Sequence, residues 1–136
     1  MSLETLLDDF ALFDDWEDRY RYIIELGGKL SPLTDAEHND DNKVPGCVSQ
    51  VWLVNDTEGD QLRFRGDSDA HIVRGLVAIL LDLYDGKAVA DIVAFDAESA
   101  FSQLGLGEHL TPQRSNGFYA MVQRIRNDAA AASTDG

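Results

Sequence analysis

Apolar residues recur along this chain with two different periods, and each change of period marks a new element. Leu3, Leu6, Leu7 and Phe10 are spaced three and four apart, which predicts a short amphipathic helix over about residues 3–13. Trp16, Tyr20, Ile23, Ile24 and Leu26 carry the helical spacing into a second helix. Asp14 and Asp15 precede it as N-caps, and the Gly27-Gly28 pair is suited to end it with a left-handed cap.

Periodicity then disappears. Residues 31–46 (SPLTDAEHNDDNKVPG) hold turn formers and acids, and predict a loop that is long for one domain. Loops of that length are more often functional or mobile than idle. From Cys47 to Asn55 the run CVSQVWLVN predicts a strand, with Trp52 in the core. Asp56–Asp60 make a turn, and Gln61–Gly66 alternate polar with apolar as a half-buried strand does. The two strands predict an antiparallel hairpin.

Helical spacing returns after Asp67, Ser68 and Asp69, any of which is suited to cap the helix that follows. Ile72, Val73, Leu76, Val77 and Leu80 form its core face, widened by Ile79, Leu81 and Leu83, so this helix is central and ends near Asp85-Gly86. Residues 88–107 predict one or two shorter helices anchored by Phe95, Phe101, Leu104 and Leu106. Thr111-Pro112 starts a final helix with Phe118, Met121, Val122 and Ile125 on its inner face. The small residues from about Ala129 predict a frayed tail over 130–136. The sum is a single α+β domain over 1–136: a small antiparallel sheet packed against several helices.

Charge narrows the partners. Asp and Glu total 25 against 11 Lys and Arg, a formal net charge of -14. Such a field opposes nucleic acid and anionic membrane surfaces, and favours either plain solubility or a partner with a basic docking face. The opening MSLETLLDDF has neither the basic start nor the apolar core of a signal peptide, which predicts a cytoplasmic protein. A reducing compartment would keep a lone cysteine free.

The chain has one cysteine, Cys47, placed after Pro45-Gly46 where the long loop becomes a strand. Gly46 removes side-chain bulk beside it, and a thiolate there is a natural nucleophile toward a disulfide or persulfide. A lone intracellular cysteine is also often plain packing. The residues alone leave both readings open. A single thiol accepts and donates sulfur but forms no internal disulfide.

Three ordered blocks bear on the choice. The run Asn42-Lys43-Val44-Pro45-Gly46-Cys47-Val48-Ser49-Gln50-Val51-Trp52 resembles the active-cysteine segment of the SufE family, which includes the CsdE proteins. Phe64-Arg65-Gly66-Asp67-Ser68-Asp69-Ala70, leading through Ile72-Val73 to Gly75-Leu76, is similar to the family's second block. His109-Leu110-Thr111-Pro112-Gln113-Arg114-Ser115-Asn116-Gly117 resembles the third. The resemblance covers nearly the whole chain. It implies a fold like that of the IscU scaffold proteins and a sulfur-acceptor role for Cys47. The donor it implies is a cysteine desulfurase of the SufS or CsdA type, which carries pyridoxal phosphate and whose cycle the acceptor speeds. The onward recipient is an iron–sulfur scaffold complex. The chain itself would need no cofactor or metal, and would be an accessory of sulfur transfer rather than a stand-alone enzyme.

Other residues read two ways. Lys43 is suited to stabilise or steer a thiolate, or simply to be solvated. Ser49 and Gln50 match the first block and also suit strand pairing. Asp67 and Asp69 match the second, where helix capping is the alternative; a helix start beside the cysteine loop would also favour a thiolate. Arg114 matches the third and sits in a first helical turn, where a cation is electrostatically poor, which points to a contact. His38, His71 and His109 lack metal-ligand spacing. Competing readings are an iron–sulfur or metal scaffold, a cysteine-dependent hydrolase, and an adaptor with an inert Cys47. The acceptor reading adds that the 31–46 loop moves with Cys47 when the desulfurase docks, which hydrogen exchange across the loop would test.

Overall fold

The computed structural model describes residues 3–46, 49–56, 63–84 and 87–135. They order as α1 (Leu3–Ala11), α2 (Trp16–Gly28), β1 (Val51–Asn55), β2 (Phe64–Ser68), α3 (His71–Tyr84), α4 (Val89–Ala94), α5 (Ala97–Gln103), α6 (Leu106–His109) and α7 (Pro112–Asp135). The expected α+β architecture is present, with a two-stranded antiparallel sheet.

Helix α3 is apolar on most of its circumference and is the axis of the fold. Leu76, Val77 and Ile79 are fully buried, and α2, β2 and α7 each pack against it. Its closest neighbour is α2, capped at its start by Asp15, whose carboxylate accepts from the Asp18 amide at 2.9 Å. The Gly27-Gly28 pair corrects the sequence reading. Both glycines lie inside α2, and the C-cap is Lys29 in a right-handed conformation (φ -91°, ψ -4°). Gly27 instead makes room for α3. A Cβ on it would lie 2.6 Å from the Gly75 nitrogen, and a Cβ on Gly75 would lie 2.2 Å from the Ile23 carbonyl oxygen. The helices meet backbone to backbone.

The hairpin pairs Val51 with Ser68, Leu53 with Gly66 and Asn55 with Phe64. Val51, Leu53, Phe64 and Ser68 face inward and are buried. Both strands differ from their expected bounds. β1 begins only at Val51, with Cys47 and Val48 outside the described residues, and β2 runs on through Asp67 and Ser68. These two therefore belong to the sheet rather than to a helix cap. Trp52 is also corrected: strand alternation turns it to the outer face, where it is half-buried with its ring edge-on to His38 at 4.7 Å.

After α3 come three short helices, where one or two were expected, with Phe101, Leu104 and Leu106 buried. Phe95 is partly buried against Tyr84. Thr111 accepts from the Arg114 amide at 3.3 Å and starts α7, whose Phe118, Met121, Val122 and Ile125 enter the core as expected. The sequence reading puts a frayed tail over 130–136; in the structure α7 is helical through Asp135, and Ala129 is fully buried.

Candidate functional site

The aperiodic 31–46 segment is a braced loop. Thr34 and Glu37 form a reciprocal capping box: the Thr34 amide donates to Glu37 Oε1 at 3.0 Å and the Glu37 amide to Thr34 Oγ1 at 3.2 Å. Asn39 Oδ1 accepts from the Asn42 amide, and Asn42 Nδ2 donates to the Glu37 carbonyl, both at 2.9 Å. The chain then straightens and bridges to β1, pairing Lys43 with Trp52. The Val44 amide donates to the Val51 carbonyl and the Leu53 amide to the Asn42 carbonyl, both at 2.8 Å. Side chains of Asn, Asp, Thr and Glu thus substitute for the missing apolar pattern.

Two ionic groups fasten this loop to the outer face of the hairpin. Arg65 on β2 spans Glu37 and Asp56, and donates to Glu37 Oε1 at 3.0 Å. Its hydrogen bonds hold the Glu37 carboxyl down at about 2. Those to Glu37 and then Asp56 push Arg65 further up. Beside it, His38 has an acceptor at each ring nitrogen: the Thr34 carbonyl 2.8 Å from Nδ1 and Asp67 Oδ2 2.9 Å from Nε2. Only an imidazolium donates to both. The Asp67 hydrogen bond is the main cause of a raised His38 pKa, with burial opposing it. Arg74 of α3 completes the group, its Nε 3.0 Å from Asp67 Oδ1 in an ion pair poorly aimed for a hydrogen bond.

Cys47 lies outside the described residues, but the chain on both sides of it is placed. Upstream, Gly46 has φ +87°, which with Pro45 before it matches a type II turn. A Cβ on Gly46 would lie 3.6 Å from the Ala120 methyl, so this turn rests on α7. Downstream, the Gln50 amide donates to Asp69 Oδ1 at 3.0 Å. The Gln50 carbonyl accepts from the Asp69 amide at 3.2 Å and from Ser68 Oγ at 2.7 Å. Asp67, Ser68 and Asp69 were expected to cap α3. Their hydrogen bonds run instead to the cysteine segment, the loop and the β2–α3 turn, because the strand extends past the expected helix start.

A cavity of about 300 Å³ opens beside the downstream anchor. Ser49, Thr111, Gln113 and Arg114 supply its polar lining, and Val73, Phe118 and Met121 its apolar floor. The expected site residues Ser49 and Arg114 thus meet in one space, and Arg114 makes no ion pair among the described residues. Lys43 is exposed and contributes its backbone to the β1 bridge. Asp67 serves the His38 group, and Asp69 holds Gln50.

Sequence reasoning missed His38, Glu37 and Arg124. The capping box Thr34-x-x-Glu37 was a readable signal for the first two; Arg124, which reaches the loop from α7, had none. Among the described residues no three His, Cys, Asp or Glu side chains converge as a metal site requires, and no helix is long and apolar enough to cross a membrane.

Comparison with known proteins adds to this geometry. Residues 4–129 match the family model SufE, described as an Fe-S metabolism associated domain. An uncharacterized SufE-like protein of Rhizobium etli is 56% identical over 132 residues, spanning 94% of this chain and 89% of that one. Another, from Rhizobium meliloti, is 51% identical over 132 residues, or 94% of each. The solution structure of a hypothetical protein from Thermus thermophilus shares the fold, with a TM-score of 0.79 and 22% identity over 98% of this chain and 99% of that one.

Proposed function

The chain belongs to the SufE family, and on that premise we propose that it is a sulfur acceptor in iron–sulfur metabolism, with Cys47 as the accepting residue. The donor is a cysteine desulfurase holding sulfur as a cysteine persulfide. The Cys47 thiolate attacks the outer sulfur, the S–S bond of the donor breaks, and the donor cysteine leaves as a thiolate. Cys47 then carries the persulfide, and the same exchange in the forward direction delivers it to a scaffold complex. No oxidant is needed, because the sulfane sulfur keeps its oxidation state. Pyridoxal phosphate belongs to the donor, and the exchange operates in the cytoplasm, where the thiol stays reduced.

The observation that carries this reading is the cavity shared by Ser49 and Arg114 next to the cysteine segment. A guanidinium without a carboxylate partner among the described residues favours an anionic sulfur over a neutral one. Gly46 lets the turn before Cys47 lie against Ala120 of α7 with no side chain between them.

Intact-mass measurement after mixing with a desulfurase, pyridoxal phosphate and cysteine tests the proposal. A gain of about one sulfur mass, lost on reduction and absent from Cys47→Ser, is expected. An unmodified chain beside a desulfurase that is itself persulfurated would overturn it in favour of an adaptor.

A further inference from the structure

The loop leaves a turn at Asp41 and Asn42 and bridges to β1 at Lys43. The Asn42 carbonyl and the Val44 amide point to β1, with 2.8 Å hydrogen bonds to Leu53 and Val51. The Lys43 amide turns back to the Asn39 and Asp40 carbonyls at 3.1 and 3.3 Å, while the Asp41 and Lys43 carbonyls face α7. One side chain from α7 takes both: Arg124 donates through Nη2 to the Asp41 carbonyl at 2.8 Å and through Nη1 to the Lys43 carbonyl at 3.5 Å. Its third nitrogen, Nε, lies 3.4 Å from Asp128 Oδ2, one turn further along the same helix. All three nitrogens are therefore used, two on the loop and one on a carboxylate that aims the group. The planar fork of arginine suits this task, and lysine has no equivalent. One turn before Arg124, Ala120 lies beneath Gly46. Two successive positions on one face of α7 thus support the chain immediately before Cys47.

We propose that Arg124 is a positioning residue for the cysteine segment, tying the Asp41 and Lys43 carbonyls to α7 and so fixing where the chain turns toward Cys47. This deepens the sulfur-acceptor reading and rests on it for its consequence, while the geometry stands apart from it. Asp128 is the orienting partner. Burial raises its pKa, and Arg124 counters that rise.

The test uses the full chain without any desulfurase. Hydrogen exchange by mass spectrometry is compared for wild type, Arg124→Gln and Arg124→Lys, together with the rate of Cys47 alkylation by iodoacetamide. In Arg124→Gln, exchange in peptides covering 41–46 and the alkylation rate should each rise about three- to tenfold, as expected for losing one or two hydrogen bonds. Exchange in α2 and α3 should be unchanged. Arg124→Lys should recover only part of the protection. Unchanged exchange over 41–46 in Arg124→Gln would overturn the inference, as would full recovery by lysine. A uniform rise across all helices with a matching fall in Tm would reduce Arg124 to a stabilising contact and also overturn it. No arm depends on persulfide transfer. Persulfide on Cys47 with unaltered exchange in Arg124→Gln sinks this inference alone, and altered exchange with no persulfide sinks only the acceptor reading.

Discussion

The α2–α3 crossing and the surroundings of Cys47 are assembled from opposite materials. At the crossing, Gly27 and Gly75 remove side chains altogether, and apolar backbone-to-backbone contact holds the helices. Around the cysteine segment a set of polar contacts runs from side chains to main-chain groups: Asp69 to the Gln50 amide, Ser68 to the Gln50 carbonyl, Arg124 to the Asp41 carbonyl. The first arrangement has no slack, because close-packed backbone has nowhere to move. The second consists of contacts each worth about 1 kcal/mol net, which open singly without unfolding the rest. Stability and positioning are thus carried by separate residues, and substitutions should sort accordingly.

The largest effect is expected at the crossing. Gly75→Ala drives a methyl to 2.2 Å from the Ile23 carbonyl oxygen, and should cost about 3 kcal/mol and roughly 10 °C in Tm by calorimetry. A stable Gly75→Ala protein would mean that the helices slide apart cheaply, and the contrast would fail. Next comes Asp69→Ala, which removes the acceptor for the Gln50 amide. We expect about 1 kcal/mol or less globally, but faster Cys47 alkylation, with Asp69→Asn between the two because its carbonyl still accepts. Equal alkylation rates in all three would break the link between this anchor and the thiol.

The smallest effect is a pH dependence in the loop. His38 faces Asp67 of β2, backed by Arg74 of α3, with Trp52 of β1 against its ring and Asp35 of its own loop nearby. Its folded pKa lies above the ordinary 6.5, so its contribution is complete below 6.5 and is lost as pH rises through the raised value. The stability gap between wild type and His38→Gln should therefore be widest near pH 5.5 and narrow by pH 8.5, with NMR titration of the imidazole as the direct check. A gap constant with pH would contradict the imidazolium assignment.

What could be read from sequence follows the same division. Helices α2, α3 and α7 were legible because burial imposes a period on Ile23, Leu76, Met121 and their neighbours. The cap at Asp15 and the start at Thr111-Pro112 were legible because each is satisfied locally. Gly27-Gly28 misled because glycine serves equally for a cap and for a close approach, and only the partner Gly75 distinguishes the two. Asp67 and Asp69 misled because a carboxylate before a helix is ambiguous until the strand register is known. Ser49 and Arg114 were singled out by resemblance and do share a cavity. The role of Arg124 was invisible, since the partners that tie it to the loop are main-chain carbonyls that any sequence supplies.

The bridge between the loop and β1 has a further consequence for the reach of the thiol. Cys47 is joined to the body of the protein by two arms of unequal length: a long one back to Gly28 and a short one of four residues forward to Val51. If the bridge at Lys43, the ties of the loop through Glu37, His38 and Arg124, and the contacts of Gln50 were all released while β1 stayed intact, the long arm would impose almost no limit. The short arm would, because four residues fully extended span at most about 14 Å. Under the sulfur-acceptor role proposed above, a donor would have to bring its own cysteine inside a small sphere centred on the first residue of β1. Lengthening the short arm by insertion after Val48 would widen that sphere without touching the thiol, the cavity or the helices beneath.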